Sequence, residues 1–163
     1  MKNENRTRNR TFVKRHSFKE WHSRTFLQVP NKLFVLEQMK CPTNTDVSLT
    51  FVTDEKIHTL NREYRGIDKP TDVLSFECDN VPFEDEDFND ALEYELGDIV
   101  IASEVALRQT EEFATTFEEE ITLLVVHGLL HLCGYDHIED EEAEIMEALE
   151  DKLIAAWRNS REQ

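Results

Sequence analysis

Apolar and polar positions recur along this chain with two periods, and the switches between them mark its elements. Residues 1–10 are basic and polar with no apolar periodicity, which predicts a flexible tail. Residues 11–40 mix aromatic with basic positions (Phe12, Phe18, Trp21, Phe26), and the run Lys32–Met39 predicts a helix. Asp46–Val52 alternates and is β-branched, a strand signature. Thr53 stands where an N-cap would open a helix through about Tyr64, and Ile57, Leu60 and Tyr64 share one face at i, i+3 and i+7. Asp72–Cys78 predicts a second strand after Pro70, and residues 79–96 a very acidic, solvated connection containing Pro82. Gly97–Ala102 predicts a short apolar strand, after which Ser103 is placed to cap a helix to about Phe113.

The clearest helix start is Thr116-Phe117-Glu118-Glu119, a capping box in which hydroxyl and carboxylate satisfy opposite backbone N–H groups. The helix continues through the apolar stretch Ile121–Val126 and ends near Gly134, and so apolar an interior predicts burial on most sides. A last helix spans about Glu139 to Asn159, with Met146, Leu149, Leu153 and Trp157 as its apolar stripe and acidic residues on its outer face. There is no internal repeat and no glycine-rich phosphate loop. With 163 residues, the expectation is one domain over residues 11–163 behind the basic tail.

Composition narrows the class. Hydrophobic residues make up 39% of the chain, too many for a wholly disordered one. No apolar run approaches the ~18 residues of a membrane span, so no membrane partner is expected. The start, Met1-Lys2-Asn3-Glu4-Asn5-Arg6, has no apolar core behind its charges, which argues against a secretory signal. Cys41, Cys78 and Cys133 are an odd number without framework spacing, so free thiols in a reducing compartment are expected. The formal net charge of −17 argues at first against a polyphosphate partner. The charge is polarised, however. Residues 1–40 hold ten Lys/Arg against three Asp/Glu, a net +7, and residues 41–163 hold eight against thirty-two, a net −24. Half of those eight fall in one window, Lys56, Arg62, Arg65 and Lys69, so a polyanion has a local foothold.

The candidate chemistry lies in His127-Gly128-Leu129-Leu130-His131-Leu132-Cys133-Gly134-Tyr135-Asp136-His137, which holds three of the six histidines of the chain. His127 and His131, at i and i+4, stand on one helix face. Gly134 occupies a helix C′ position, where the left-handed conformation ends the helix and lets the chain return with His137. Three imidazoles converging this way make a facial metal site, and zinc with an open fourth position is the natural occupant. A single histidine near a helix end is ordinarily packed or solvated; three at this spacing are not explained that way. A closed, structural site would need a fourth ligand. Cys133 is roughly 200° around the helix from His131, on the opposite face, whereas Asp136 is near enough to swing in. The spacing also matches the zinc-peptidase pattern H-E-x-x-H-x-x-G-x-x-H, with Gly128 in place of the glutamate general base. Glycine accepts no proton, which disfavours peptide hydrolysis by that route.

A second constellation runs from Leu60 to Phe76, leaving a helix, turning through Gly66 and Pro70 and entering a strand. Arg65 ends that helix, and its planar, permanently charged guanidinium suits a phosphate oxygen. The plainer alternative is an ion pair with Asp68 or Asp72, or a cap on its own helix.

These segments together resemble the YbeY family of bacterial endoribonucleases, the rRNA maturation factors. The resemblance rests on LNREYRGIDKPTDVLSF (60–76), LGDIVIA (96–102), HGLLHLCGYDH (127–137) and the following Met146-Glu147 pair, and covers most of residues 46 to about 150. The first 40 residues carry no such motif. One departure is Glu77, where a proline often follows Ser-Phe; it bears on the geometry of that strand end. The resemblance implies an α+β fold, a small mixed sheet with surrounding helices and a buried central helix carrying the first two histidines. It implies one zinc ion per chain held by His127, His131 and His137, with Arg65 and His127 serving catalysis. It implies a cytoplasmic, single-strand-specific endoribonuclease acting in 16S rRNA maturation and ribosome quality control. Its partners would be single-stranded rRNA and the small ribosomal subunit with its proteins or an assembly GTPase. The competing readings are a zinc metallopeptidase-like hydrolase and a non-enzymatic ribosome assembly factor with structural zinc.

Overall fold

A computed structural model describes residues 32–78 and 93–162. The expected tail at 1–10, the start of the domain at residue 11 and the acidic connection from 79 to 92 lie outside the described residues. The elements run α1 (Lys32–Gln38), β1 (Thr45–Val52), α2 (Asp54–Arg65), β2 (Val73–Glu77), β3 (Tyr94–Ala102), α3 (Ser103–Phe113), α4 (Phe117–Leu132) and α5 (Asp140–Arg161). The sheet has the order β1-β3-β2, with β1 parallel and β2 antiparallel to β3, so it is mixed and the expected α+β class holds.

The central strand explains the layering. β3 is covered on both faces, and its end reads as a continuous apolar run, Ile99-Val100-Ile101-Ala102, in place of an alternating one. Ile99 and Ile101 face the larger core, built with Val125, Leu129 and Leu130 of α4 and Met146 and Leu153 of α5. Val100 and Ala102 face the other way, onto Ile57 and Leu60 of α2. Thus α2 lies on one face of the sheet and α4 on the other.

Local signals account for most boundaries. Thr53 caps α2 by accepting from the Lys56 N–H at 3.3 Å. Thr116 and Glu119 form the expected capping box on α4, with N–H···O distances of 3.2 and 2.8 Å. That helix is buried on most sides, as its apolar stretch requires. Four expectations change. Tyr64 is exposed, because it falls in the last turn of α2, where its ring meets the edge of Phe76 at a 5.0 Å centroid distance. β3 begins at Tyr94, so residues 94–96 are strand: Tyr94 and Glu95 pair with Thr45 and Asp46 of β1. Ser103 is the first residue of α3 and not its cap, because β3 passes into the helix at Ala102 without a loop. Glu150 of α5 faces inward, unlike the acidic residues of the outer face. The departure at Glu77 leaves the strand end regular, since Glu77 pairs with Gly97 and the Cys78 N–H donates to the Leu96 carbonyl at 3.1 Å. Among the described residues no helix is long and apolar enough to cross a membrane.

Candidate metal centre

The centre is built by the end of α4. His127 and His131 lie one turn apart, and their Nε2 atoms approach to 3.0 Å. After Leu132 the helix closes in a Schellman arrangement. The Gly134 N–H donates to the His131 carbonyl at 3.0 Å and the Tyr135 N–H to the Leu130 carbonyl at 3.1 Å. This closure puts Gly134 at φ 96°, a conformation that a β-carbon would strain. The chain then reverses and delivers His137, whose ring centroid lies 5.3 Å from that of His127 and 4.9 Å from that of His131. One ligand atom from each of the three falls within 4.8 Å of the others, so the group can hold a metal ion. His127 and His131 are half-buried and His137 is exposed, leaving the centre open on its solvent side.

The ring nitrogens that face away from the centre have partners. His131 Nδ1 lies 2.9 Å from the Tyr135 carbonyl oxygen. A carbonyl only accepts, so Nδ1 carries the proton and Nε2 presents its lone pair to the cluster. His127 Nδ1 lies 2.6 Å from Glu150 Oε1. Two imidazole nitrogens meeting at 3.0 Å, with a third close by, form a set of converging ring nitrogens of the kind that suits a borderline cation. The same crowding acts on protonation: burial first, then the charge His127 would carry, holds His131 below the usual histidine value. Glu150 is the residue that the sequence reading missed. Its signal was its spacing, one turn after Met146 and three residues before Leu153, inside the apolar stripe.

The other candidates are accounted for. Cys133 turns into the core, where its hydrogen bond with Cys41, together with burial, pushes its thiol pKa upward; it is no ligand. Asp136 spends Oδ1 on the His137 N–H at 2.7 Å. Gly128 faces the sheet. A β-carbon there would stand 2.9 Å from Ile99 Cγ2 and 3.2 Å from Ser75 Oγ, and the Gly128 carbonyl accepts from Ser75 Oγ at 3.1 Å. The position that bears the peptidase glutamate is therefore closed by packing, and α4 supplies no carboxylate base from it.

Arg65 is exposed at the end of α2 and is not a member of the histidine cluster. Its helix packs on the opposite face of the sheet from α4, with β2, at an edge of the sheet among the described residues, between them. Contact across that edge is continuous: Tyr64 meets Phe76, and the next residue, Ser75, holds the carbonyl beside His127. The alternative partners of Arg65 are engaged elsewhere. Asp68 pairs with His58 at 2.8 Å and Arg62 at 3.8 Å, and Asp72 accepts from the Val73 N–H at 2.8 Å and from Gln109 Nε2 at 2.9 Å. Among the described residues Arg65 makes no salt bridge.

The family model described as endoribonuclease YbeY matches residues 5–158, and so reaches into the N-terminal segment where the sequence shows no motif. The chain is similar to an endoribonuclease YbeY of Desulfitobacterium hafniense, with 46% identity over 68% of this chain and 70% of that one. It is similar to those of Shouchella clausii (41% identity, 78% and 81% covered) and Heliobacterium modesticaldum (45% identity, 73% and 74% covered). A solution structure of a Thermotoga maritima protein matches with a TM-score of 0.46 and 28% identity, over 81% of this chain and 90% of that one.

Proposed function

The chain belongs to the endoribonuclease YbeY family, and from that premise we propose that it is a zinc-dependent endoribonuclease that cuts single-stranded rRNA during small-subunit (16S) maturation and quality control. The observation that carries this reading is the convergence of His127, His131 and His137 on one open point. In this proposal the three histidines hold one zinc ion per chain. Three imidazoles with an open side are the donor set of a catalytic zinc site. When bound, zinc supplies Lewis-acid stabilisation of charge developing on a phosphoryl group.

The chain's own residues do the rest. Tyr135 and Glu150 hold the two helix histidines by their Nδ1 atoms, so that both present Nε2 to the centre. His127 thereby serves catalysis as a fixed ligand. Arg65, exposed and without a salt bridge among the described residues, holds a backbone phosphate of RNA draped over the edge of β2, and offsets charge that grows there. The polyanion meets the sheet edge beside Arg65 and avoids the acidic outer face of α5, whose first turn alone carries Asp140, Glu141 and Glu142. Single-stranded RNA suits the site because its bases and backbone can be splayed over an edge. In this proposal the chain acts as one domain over residues 11–163, in the cytoplasm, with the small ribosomal subunit, its proteins or an assembly GTPase as partners.

The test is cleavage of a single-stranded rRNA fragment and of casein by chelator-treated and zinc-restored protein. The expected result is zinc-restored RNA cleavage with casein intact. Casein cleavage that needs His131 would establish a peptidase. Absence of zinc-dependent RNA cleavage, with zinc bound and the fold intact, would establish a structural metal in an assembly factor.

A further inference from the structure

We propose that Glu150 is a positioning residue for the metal centre: it holds His127 in the tautomer that offers Nε2, and it makes metal binding depend on the docking of α5. The inference rests on the metal-binding reading above. Glu150 lies in the middle of α5 with 7% of its surface exposed, between the buried Met146 and Leu153. A carboxylate in an apolar stripe is expensive to bury unless it is paired. Its partner here is His127 Nδ1, 2.6 Å from Oε1. A carboxylate accepts, so Nδ1 carries the hydrogen and Nε2 is left as the nitrogen that faces the centre and His131 Nε2, 3.0 Å away.

The two helix histidines are thus oriented by different means. His131 is held by the carbonyl of Tyr135, four residues on, which the Schellman turn itself places. His127 is held by a side chain twenty-three residues away, which arrives only when Met146 and Leu153 seat α5 against the core. The carboxylate behind the imidazole also complements the charge of the cation that the ring would hold.

The experiment measures zinc affinity by chelator competition and the His127 tautomer by long-range ¹H–¹⁵N correlation in metal-free protein. It uses wild type, Glu150→Ala, Glu150→Gln and Leu153→Ala. Glu150→Ala is expected to bind zinc about 10- to 100-fold more weakly and to lose the single Nδ1–H tautomer. Glu150→Gln, whose amide oxygen still accepts, is expected to keep the tautomer and fall between the two. Leu153→Ala loosens α5 while keeping the carboxylate, so it is expected to weaken zinc binding less than Glu150→Ala does; wild-type affinity in a protein whose α5 is loosened would overturn the dependence on docking. Wild-type zinc affinity and an unchanged tautomer in both Glu150 variants would overturn the proposal while leaving the metal site standing. If the wild type itself binds no zinc, the metal-binding reading falls and this inference with it. Should Glu150→Ala not fold, Glu150→Gln decides: affinity equal to wild type removes any role for the charge.

Discussion

Adding one methyl group at Gly128 probes how the helix that carries His127 and His131 is seated. In Gly128→Ala the new carbon would lie 2.9 Å from Ile99 Cγ2, 3.2 Å from Ile99 Cδ1 and 3.2 Å from Ser75 Oγ. Ile99 is 1% exposed and β-branched, so its Cγ2 has no free volume to enter. Ser75 is held by its bond to the Gly128 carbonyl. Overpacking of this kind costs about 1–3 kcal/mol. Alanine returns up to about 1 kcal/mol through its better helix propensity. With a contact this close the strain wins, and the net loss is about 1–2 kcal/mol. For a chain of this size each kcal/mol shifts Tm by about 2–4 °C, so a fall of roughly 2–8 °C is expected. Thermal unfolding followed by circular dichroism, in chelator so that metal binding does not enter, measures it. Gly128→Glu goes further. It completes the peptidase motif on paper, yet it places a carboxylate against Ile99 without a partner, at a cost of several kcal/mol. That rivals the whole stability of a typical domain, about 5–15 kcal/mol. A Gly128→Ala protein that melts at or above the wild-type temperature would refute the packing of α4 on β3 described above.

Three further outcomes are expected. Thr116→Ala removes the cap of α4 and lowers stability by about 1 kcal/mol in urea titration at neutral pH. Its partner Glu119 is held below the usual glutamate value, first by the Thr116 N–H and then by the hydroxyl. The box therefore stabilises above the ordinary glutamate pKa and fades as pH falls through the lowered one, so the wild-type advantage over Thr116→Ala shrinks in acid. Arg65→Ala leaves the melting temperature within error and lowers kcat/KM on single-stranded RNA by on the order of 100-fold; unchanged cleavage would remove the phosphate role of Arg65. Zinc at about 100 times its Kd stabilises the metal-free protein by about 2.7 kcal/mol, read as a rise in Tm that His137→Ala diminishes.

How far this structure was legible in its sequence differs from residue to residue. The histidine cluster was legible because its determinants are local: one helix turn between His127 and His131, and a glycine that ends the helix by a known hydrogen-bond pattern. The capping box of α4 was legible for the same reason. Glu150 was not, because an acidic residue among many acidic residues acquires its meaning only from the helix that α5 packs against. Tyr94 and Leu96 fall in the expected loop because acidic neighbours mask their alternation, and pairing with β1 overrides composition. Tyr64 shares its predicted face with Ile57 and Leu60 but is exposed, since among the described residues no further layer covers the last turn of α2. Spacing alone leaves ion pairs of Arg65 with Asp68 and Asp72 both open, and these carboxylates are instead engaged by tertiary contacts with His58 and Gln109.

In the proposed function the three histidines hold a metal that RNA cleavage requires. The most direct measurement is elemental analysis together with cleavage of a single-stranded rRNA fragment, on wild type and His131→Ala purified side by side, with circular dichroism to show that both are folded. The account predicts one equivalent of zinc and cleavage in the wild type, and loss of both in the variant. A folded, zinc-free His131→Ala protein that cleaves the RNA at the wild-type rate would contradict it.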